Sequence, residues 1–203
     1  MADKLKIGVL VSGSGTNLQA IIDGAANGLP VEVVYVVSSR PDAYGIERAR
    51  QAGIPTLVLN REAYADALAA DARIAETLKD AGAEYVVMAG YMRMVTEVLL
   101  QAFPNRILNL HPALLPSFKG AHAIQDAFNY GVKVTGVTVH FANEEYDKGP
   151  IVAQRVVEVR EDDTVDTLEE RIHEVEHELY PEVLGWLAQG RVTVTAEGKV
   201  QVR

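Results

Sequence analysis

Asn109 and His111 stand one residue apart at the end of the apolar run "RILNLH", and the proline-rich "PALLPSFKG" then holds the chain in a loop. On an extended strand, residues two apart face the same side. An amide donor and an imidazole are therefore presented together, a pair able to polarise a carbonyl and stabilise an oxyanion. A plainer role suits the same residues, with Asn109 satisfying nearby backbone groups and His111 closing the strand. A second candidate is "SGSGTNLQ", Ser12 to Gln19. Its small residues allow close approach of a ligand, and a helix starting near Thr16 would offer free N–H groups to an anion. The stretch has neither the Gly-Lys-Ser/Thr of a P-loop nor a full dinucleotide fingerprint, and glycines in a tight turn need no ligand. The third candidate is "NEEYDKGP", Asn143 to Pro150, in which Asp147 precedes Lys148-Gly149 in an ordinary turn composition. Its interest depends on His111, because a carboxylate brought against that imidazole would orient it and pair with its cationic form.

Other candidates are weaker. His140 shares strand parity with Thr138 and could face the site or simply pack. His173 and His177 are four apart and share a helix face, where solvation is a plainer role than metal binding. His122 carries no pattern. "YMRMV", Tyr91 to Val95, could line a flat apolar pocket or belong to the core.

The elements that must position these groups alternate. "KIGVLVSG", "VEVVYVVSS", "TLVL", "EYVVMAG" and "RILNLH" read as strands; "NLQAIIDGAANG", "YGIERARQAG", "REAYADALAADARIAETLKDAG" and "TEVLLQAF" read as the intervening helices. Near-continuous Val/Ile/Leu strands separated by helices predict a parallel sheet covered on both faces, with ligands outside the strands' carboxyl ends. After residue 111, "KVTGVTVHFA" and "PIVAQRVVEV" alternate as antiparallel strands, and a charged amphipathic helix follows from Thr164 to Leu187. Thr164 or Asp166 is its expected N-cap, and Pro181 is expected to break or kink it. "RVTVTAEGKVQV" predicts a closing hairpin about Glu197-Gly198. The fold class is α/β: a doubly wound, mostly parallel sheet of about seven strands, antiparallel in the C-terminal half. No repeat or linker interrupts it, so residues 1–203 are expected to form one domain, with halves of about 1–111 and 112–203.

The 203 residues include 48% hydrophobic and 23% charged ones, the proportions of a soluble globular chain. Twenty-eight acidic against 19 basic residues give a formal net charge of −9, which argues against broad nucleic-acid binding. No apolar run spans a bilayer, and "MADKLKIGVL" lacks a cleavage-type segment. The absence of cysteine excludes thiolate chemistry and fits a cytoplasmic location.

In order along the chain, "SGSGTNLQAII", "AGYMRM", "NLHPALLPSFKG" and "GVTVHFANEEYDKGPIVAQ" resemble the glycinamide ribonucleotide transformylases, with the resemblance extending from about Lys6 to Gln189. The most specific stretch is Gly136 to Val152. The resemblance implies the formyltransferase fold and transfer of a formyl group from 10-formyltetrahydrofolate to glycinamide ribonucleotide in purine synthesis, with no metal. It places the catalytic trio on Asn109, His111 and Asp147. It places the phosphate site on Gly15, Thr16 and Asn17, and the rest of that substrate near His173 and Glu176. Folate contacts fall on Arg61, Met92, Arg93, Met94, Val95, Asn109, Asn143, Glu144, Glu145, Tyr146 and Asp147. Ala113 stands where many relatives have Ser, a change expected to be tolerated. The implied partners are small molecules, with no nucleic acid and no membrane; the antiparallel edge or terminal hairpin could also pair two copies as a homodimer. Sister enzymes acting on methionyl-tRNA or hydrolysing formyltetrahydrofolate carry extra domains for which this chain has no expected room. A non-catalytic binder has little reason to hold the whole trio.

Overall fold

The computed structural model describes residues 4–203. Its first half runs β1 (Leu5–Val11), α1 (Thr16–Ala26), β2 (Val31–Ser38), α2 (Tyr44–Gln51), β3 (Thr56–Val58), α3 (Ala67–Asp80), β4 (Tyr85–Met88), α4 (Glu97–Ala102) and β5 (Ile107–His111). The second half adds α5 (Ala123–Tyr130), β6 (Val134–Phe141), β7 (Ile151–Glu158), α6 (Val165–Ala188), β8 (Val192–Val194) and β9 (Val200–Val202). Seven strands form one sheet in the order β3-β2-β1-β4-β5-β6-β7. β1 to β5 pair in parallel, and β6 and β7 join antiparallel. β8 and β9 make the separate terminal hairpin.

This order creates the site. The chain steps from β1 out to β2 and β3, then returns to lay β4 on the other side of β1. Connections leaving β1 and β4 therefore diverge, and a crevice opens at their carboxyl ends. The apolar strands are buried on both faces: Val9, Leu108 and Val139 belong to the core under α1 and α6, while Leu10, Val86 and Ile107 belong to the core under α3 and α4. Asn109 and His111 follow Ile107 at strand parity, so they extend the face of the second core.

Three local expectations are corrected. The helical pattern beginning at Arg61 divides: Ala63–Ala65 is a short 3-10 turn, and α3 starts only after Asp66, whose side chain accepts from the Ala69 N–H at 3.0 Å. A caps-type residue inside a run of helix formers wins over propensity because it satisfies an orphan N–H. Pro181 does not break its helix, which continues to Ala188; packing of the apolar stripe against the sheet outweighs one missing bond. The third is an omission, α5, a short helix after the proline-rich loop. The Thr164 cap is as expected, with Thr167 completing a capping box.

Tyr180 locks α6 to the sheet. Its side chain is fully buried, and its hydroxyl donates toward the carbonyls of Met88 at 3.0 Å and Leu108 at 3.1 Å. Tyr180→Phe leaves both carbonyls short of a donor, and is expected to cost about 1–2 kcal/mol in urea unfolding. An unchanged midpoint would show that the hydroxyl contributes nothing.

Candidate active site

A cleft of about 740 Å³ opens where the β1–α1 turn, the segment after β4, the end of β5 and one face of α6 converge. The turn is shaped by Gly15, whose φ of 71° is left-handed and whose added Cβ would lie 2.6 Å from the Gly45 Cα. No other residue fits that position. Outside the turn, Arg48 Nε donates to the Ser14 carbonyl at 2.8 Å. Inside it, Asn17 Nδ2 donates to Glu176 Oε2 at 2.9 Å, while buried Asn17 Oδ1 has no partner. The start of α1 presents N–H groups to the cleft with no acidic residue in its first turn, an arrangement that favours an anion.

On the β5 face the trio comes together. His111 Nε2 lies 2.8 Å from the Phe118 carbonyl; a carbonyl only accepts, so Nε2 carries a proton. His111 Nδ1 faces Asp147 Oδ2 at 3.5 Å, with both side chains almost fully buried. That separation exceeds a good hydrogen bond and leaves Nδ1 free to serve a third group. The other ring is His140. Its Nδ1 donates to the Phe141 carbonyl at 3.0 Å, and burial holds its pKa below the ordinary value. In the neutral tautomer so defined, Nε2 is an acceptor. Asn109 Nδ2 lies 3.2 Å from that nitrogen. One amide hydrogen therefore goes to His140, and the second is left for a ligand. Asp147 has a left-handed φ of 52° and accepts from the Gly120 N–H at 2.9 Å. The β6–β7 connection thus folds back over the face carrying Asn109 and His111.

The family profile described as formyl transferase matches residues 5–184. The chain belongs to the formyl transferase family. Glycinamide ribonucleotide transformylase 1 from Symbiobacterium toebii is 49% identical, with a TM-score of 0.95 over 100% of this chain and 95% of that one. Phosphoribosylglycinamide formyltransferase from Haemophilus influenzae is 42% identical over 92% of this chain and 89% of its own length. A trifunctional purine biosynthetic protein from Gallus gallus is 41% identical over 98% of this chain, which spans 20% of that longer protein.

In this formyl transferase, Gly15, Thr16, Asn17, His173, Glu176, Met92, Arg93, Met94, Asn109, His111 and Tyr146 all line the main cleft. Val95, Asn143, Glu145 and Asp147 line a smaller recess beside it with Met94 and His140. Arg61 and Glu144 are exposed and line neither space. His173 and His177 stack with centroids 6.4 Å apart, as their spacing requires. The sequence reading left His140 undecided and passed over Arg40, which lines the cleft from the end of β2. The strand-end rule that singled out His111 applies equally to Arg40.

Glu176 supplies a pH prediction. Burial pushes its carboxyl above the ordinary range, against the opposing Asn17 hydrogen bond. The folded protein thus holds this proton more tightly than the unfolded chain does. Its stabilising contribution is complete below the ordinary glutamate pKa and is lost as pH rises through the raised value. Glu176→Gln cannot ionise yet keeps an oxygen for Asn17. It should raise Tm at neutral pH, by about 2–4 °C per kcal/mol recovered, and change little near about pH 4. An equal shift at both pH values would contradict the account.

Proposed function

We propose that this chain transfers the formyl group of 10-formyltetrahydrofolate to the amine of glycinamide ribonucleotide, giving formylglycinamide ribonucleotide and tetrahydrofolate. It would act in purine synthesis as a cytoplasmic, single-domain enzyme of small molecules. The observation that carries the reading is the meeting of Asn109, His111 and Asp147 beside a cleft whose far wall is the anion-favouring start of α1.

The proposed chemistry is direct. An α-amino group has a pKa of about 8 in small compounds, so a useful fraction is neutral near pH 7. The amine nitrogen attacks the formyl carbon, and the carbonyl oxygen takes up negative charge. The free amide hydrogen of Asn109 and a proton on His111 Nδ1 donate to that oxygen. Asp147 pairs with the imidazolium and helps carry the proton from the attacking nitrogen to the folate nitrogen as the old carbon–nitrogen bond breaks. The phosphate of glycinamide ribonucleotide sits at Gly15 to Asn17, with Glu176 and His173 toward its remainder. The folate lies along Met92 to Val95 and the Asn143–Asp147 loop, whereas exposed Arg61 and Glu144 would reach only a part of it outside the cleft.

An absorbance assay with 10-formyltetrahydrofolate tests the reading, using glycinamide ribonucleotide, formyl-acceptor tRNA or water as acceptor. Folate release that requires glycinamide ribonucleotide supports it. Release into water alone, or binding without release, would replace it with a hydrolase or a binding protein. Self-association through β7 or the β8–β9 hairpin is a separate expectation, which sedimentation velocity reads directly.

A further inference from the structure

Ser12 occupies an unusual place in the cleft. It is the first residue beyond β1, and its N–H donates to the Gly90 carbonyl at 3.1 Å, just beyond β4. Its hydroxyl oxygen accepts from the Met92 N–H at 2.9 Å and lies 2.6 Å from the Ser39 hydroxyl at the end of β2. Ser12 and Ser39 are both almost fully buried. One hydroxyl thus joins three strand ends. It ties the backbone of the Met92–Val95 segment to the turn that contains Gly15, Thr16 and Asn17. The far end of the same segment is fixed separately: buried Asp71 accepts from the Thr96 N–H at 2.6 Å, a bond that involves no residue of the turn.

We propose that Ser12 is a positioning residue that couples the two substrate sites, so that ordering the phosphate turn by one substrate favours the folate segment for the other. The proposal rests on the two-substrate reading above. Both segments face one cleft, and a ligand that fixes either lowers the cost of fixing its neighbour through the shared hydroxyl. Such coupling is reciprocal: each ligand tightens the other by the same factor. Asp71 holds one site alone and should carry none of it.

Calorimetric titration of tetrahydrofolate with and without saturating glycinamide ribonucleotide measures the factor without turnover, because no formyl group is present. In the unmodified protein the nucleotide should tighten tetrahydrofolate by roughly fivefold or more, the lower end of ordinary couplings. Ser12→Ala should weaken both ligands and bring the factor to about one. Asp71→Ala should weaken tetrahydrofolate while keeping the factor. If Ser12→Ala folds poorly by circular dichroism, Ser12→Cys retains a weak acceptor and should keep only part of it. A factor of one in the unmodified protein, its survival in the Ser12 variant, or equal loss in both variants would overturn the proposal. Failure of the unmodified protein to bind either ligand would instead refute the proposed function itself.

Discussion

Asp147→Asn is expected to lower kcat by about 10² to 10³, the usual effect of losing one group that stabilises developing charge, with little change in folding. The substitution is nearly isosteric. Asn accepts the left-handed backbone that Asp147 adopts at φ 52° more readily than most residues do. Its side-chain oxygen can still receive the Gly120 N–H, which now lies 2.9 Å from Oδ2. What disappears is the charge. Asp147 sits 3.5 Å from His111 Nδ1 and 3.8 Å from His140 Nε2. Burial disfavours the charged form of His140, against the opposing Phe141 hydrogen bond, so the carboxylate has His111 as its nearer ionic partner. In a pocket this dry, a lost charge is poorly replaced by solvent. The proton on Nδ1 that the oxyanion needs then loses its counter-charge. KM for each substrate should move far less than kcat, since the group acts as charge develops. Near-normal turnover in a variant with an unchanged circular dichroism spectrum would remove Asp147 from the mechanism.

Much of this arrangement was legible in the chain. Strands β1, β4 and β5 are buried on both faces, and such strands advertise themselves as unbroken apolar runs. The pairing of Asn109 with His111 follows from strand parity alone. What spacing could not provide was the partner of His111, because Asp147 reaches it only after the antiparallel return of β6 and a loop that folds back. His140 was ambiguous for another reason. Its role depends on which ring nitrogen carries the proton, and the Phe141 carbonyl decides that in three dimensions. Ser12 lies within "SGSGTNLQ", where the glycines carry the pattern; a serine hydroxyl has no sequence signature for a bond to a residue as distant as Met92. Arg61 lines neither the cleft nor its recess, and nothing in its sequence surroundings gives its distance from them.

Gly149→Ala should abolish turnover and lower stability through a single methyl group. An added Cβ at Gly149 would fall 1.6 Å from the Phe141 carbonyl oxygen, far inside contact distance and against backbone that cannot rotate away. That carbonyl is the acceptor for His140 Nδ1 at 3.0 Å. Moving it frees the tautomer that makes Nε2 an acceptor, and with it the 3.2 Å contact that orients Asn109. The same displacement pulls on the pairing between the Phe141 N–H and the Pro150 carbonyl at 2.9 Å, and so on the loop that delivers Asp147. Overpacking of this kind typically costs about 1–3 kcal/mol, and more where the neighbour is backbone. Loss of rate should exceed that of Asp147→Asn, because Asn109 and Asp147 are misplaced together and displacements near 1 Å alone cost about 10²-fold. Thermal melting read with the formyl-transfer assay separates the two effects: Tm should fall while the surviving folded fraction remains inactive. A variant that melts normally and turns over normally would mean that the Phe141 carbonyl does not set the site, and the chain of contacts from Gly149 to Asn109 would fail at its first link.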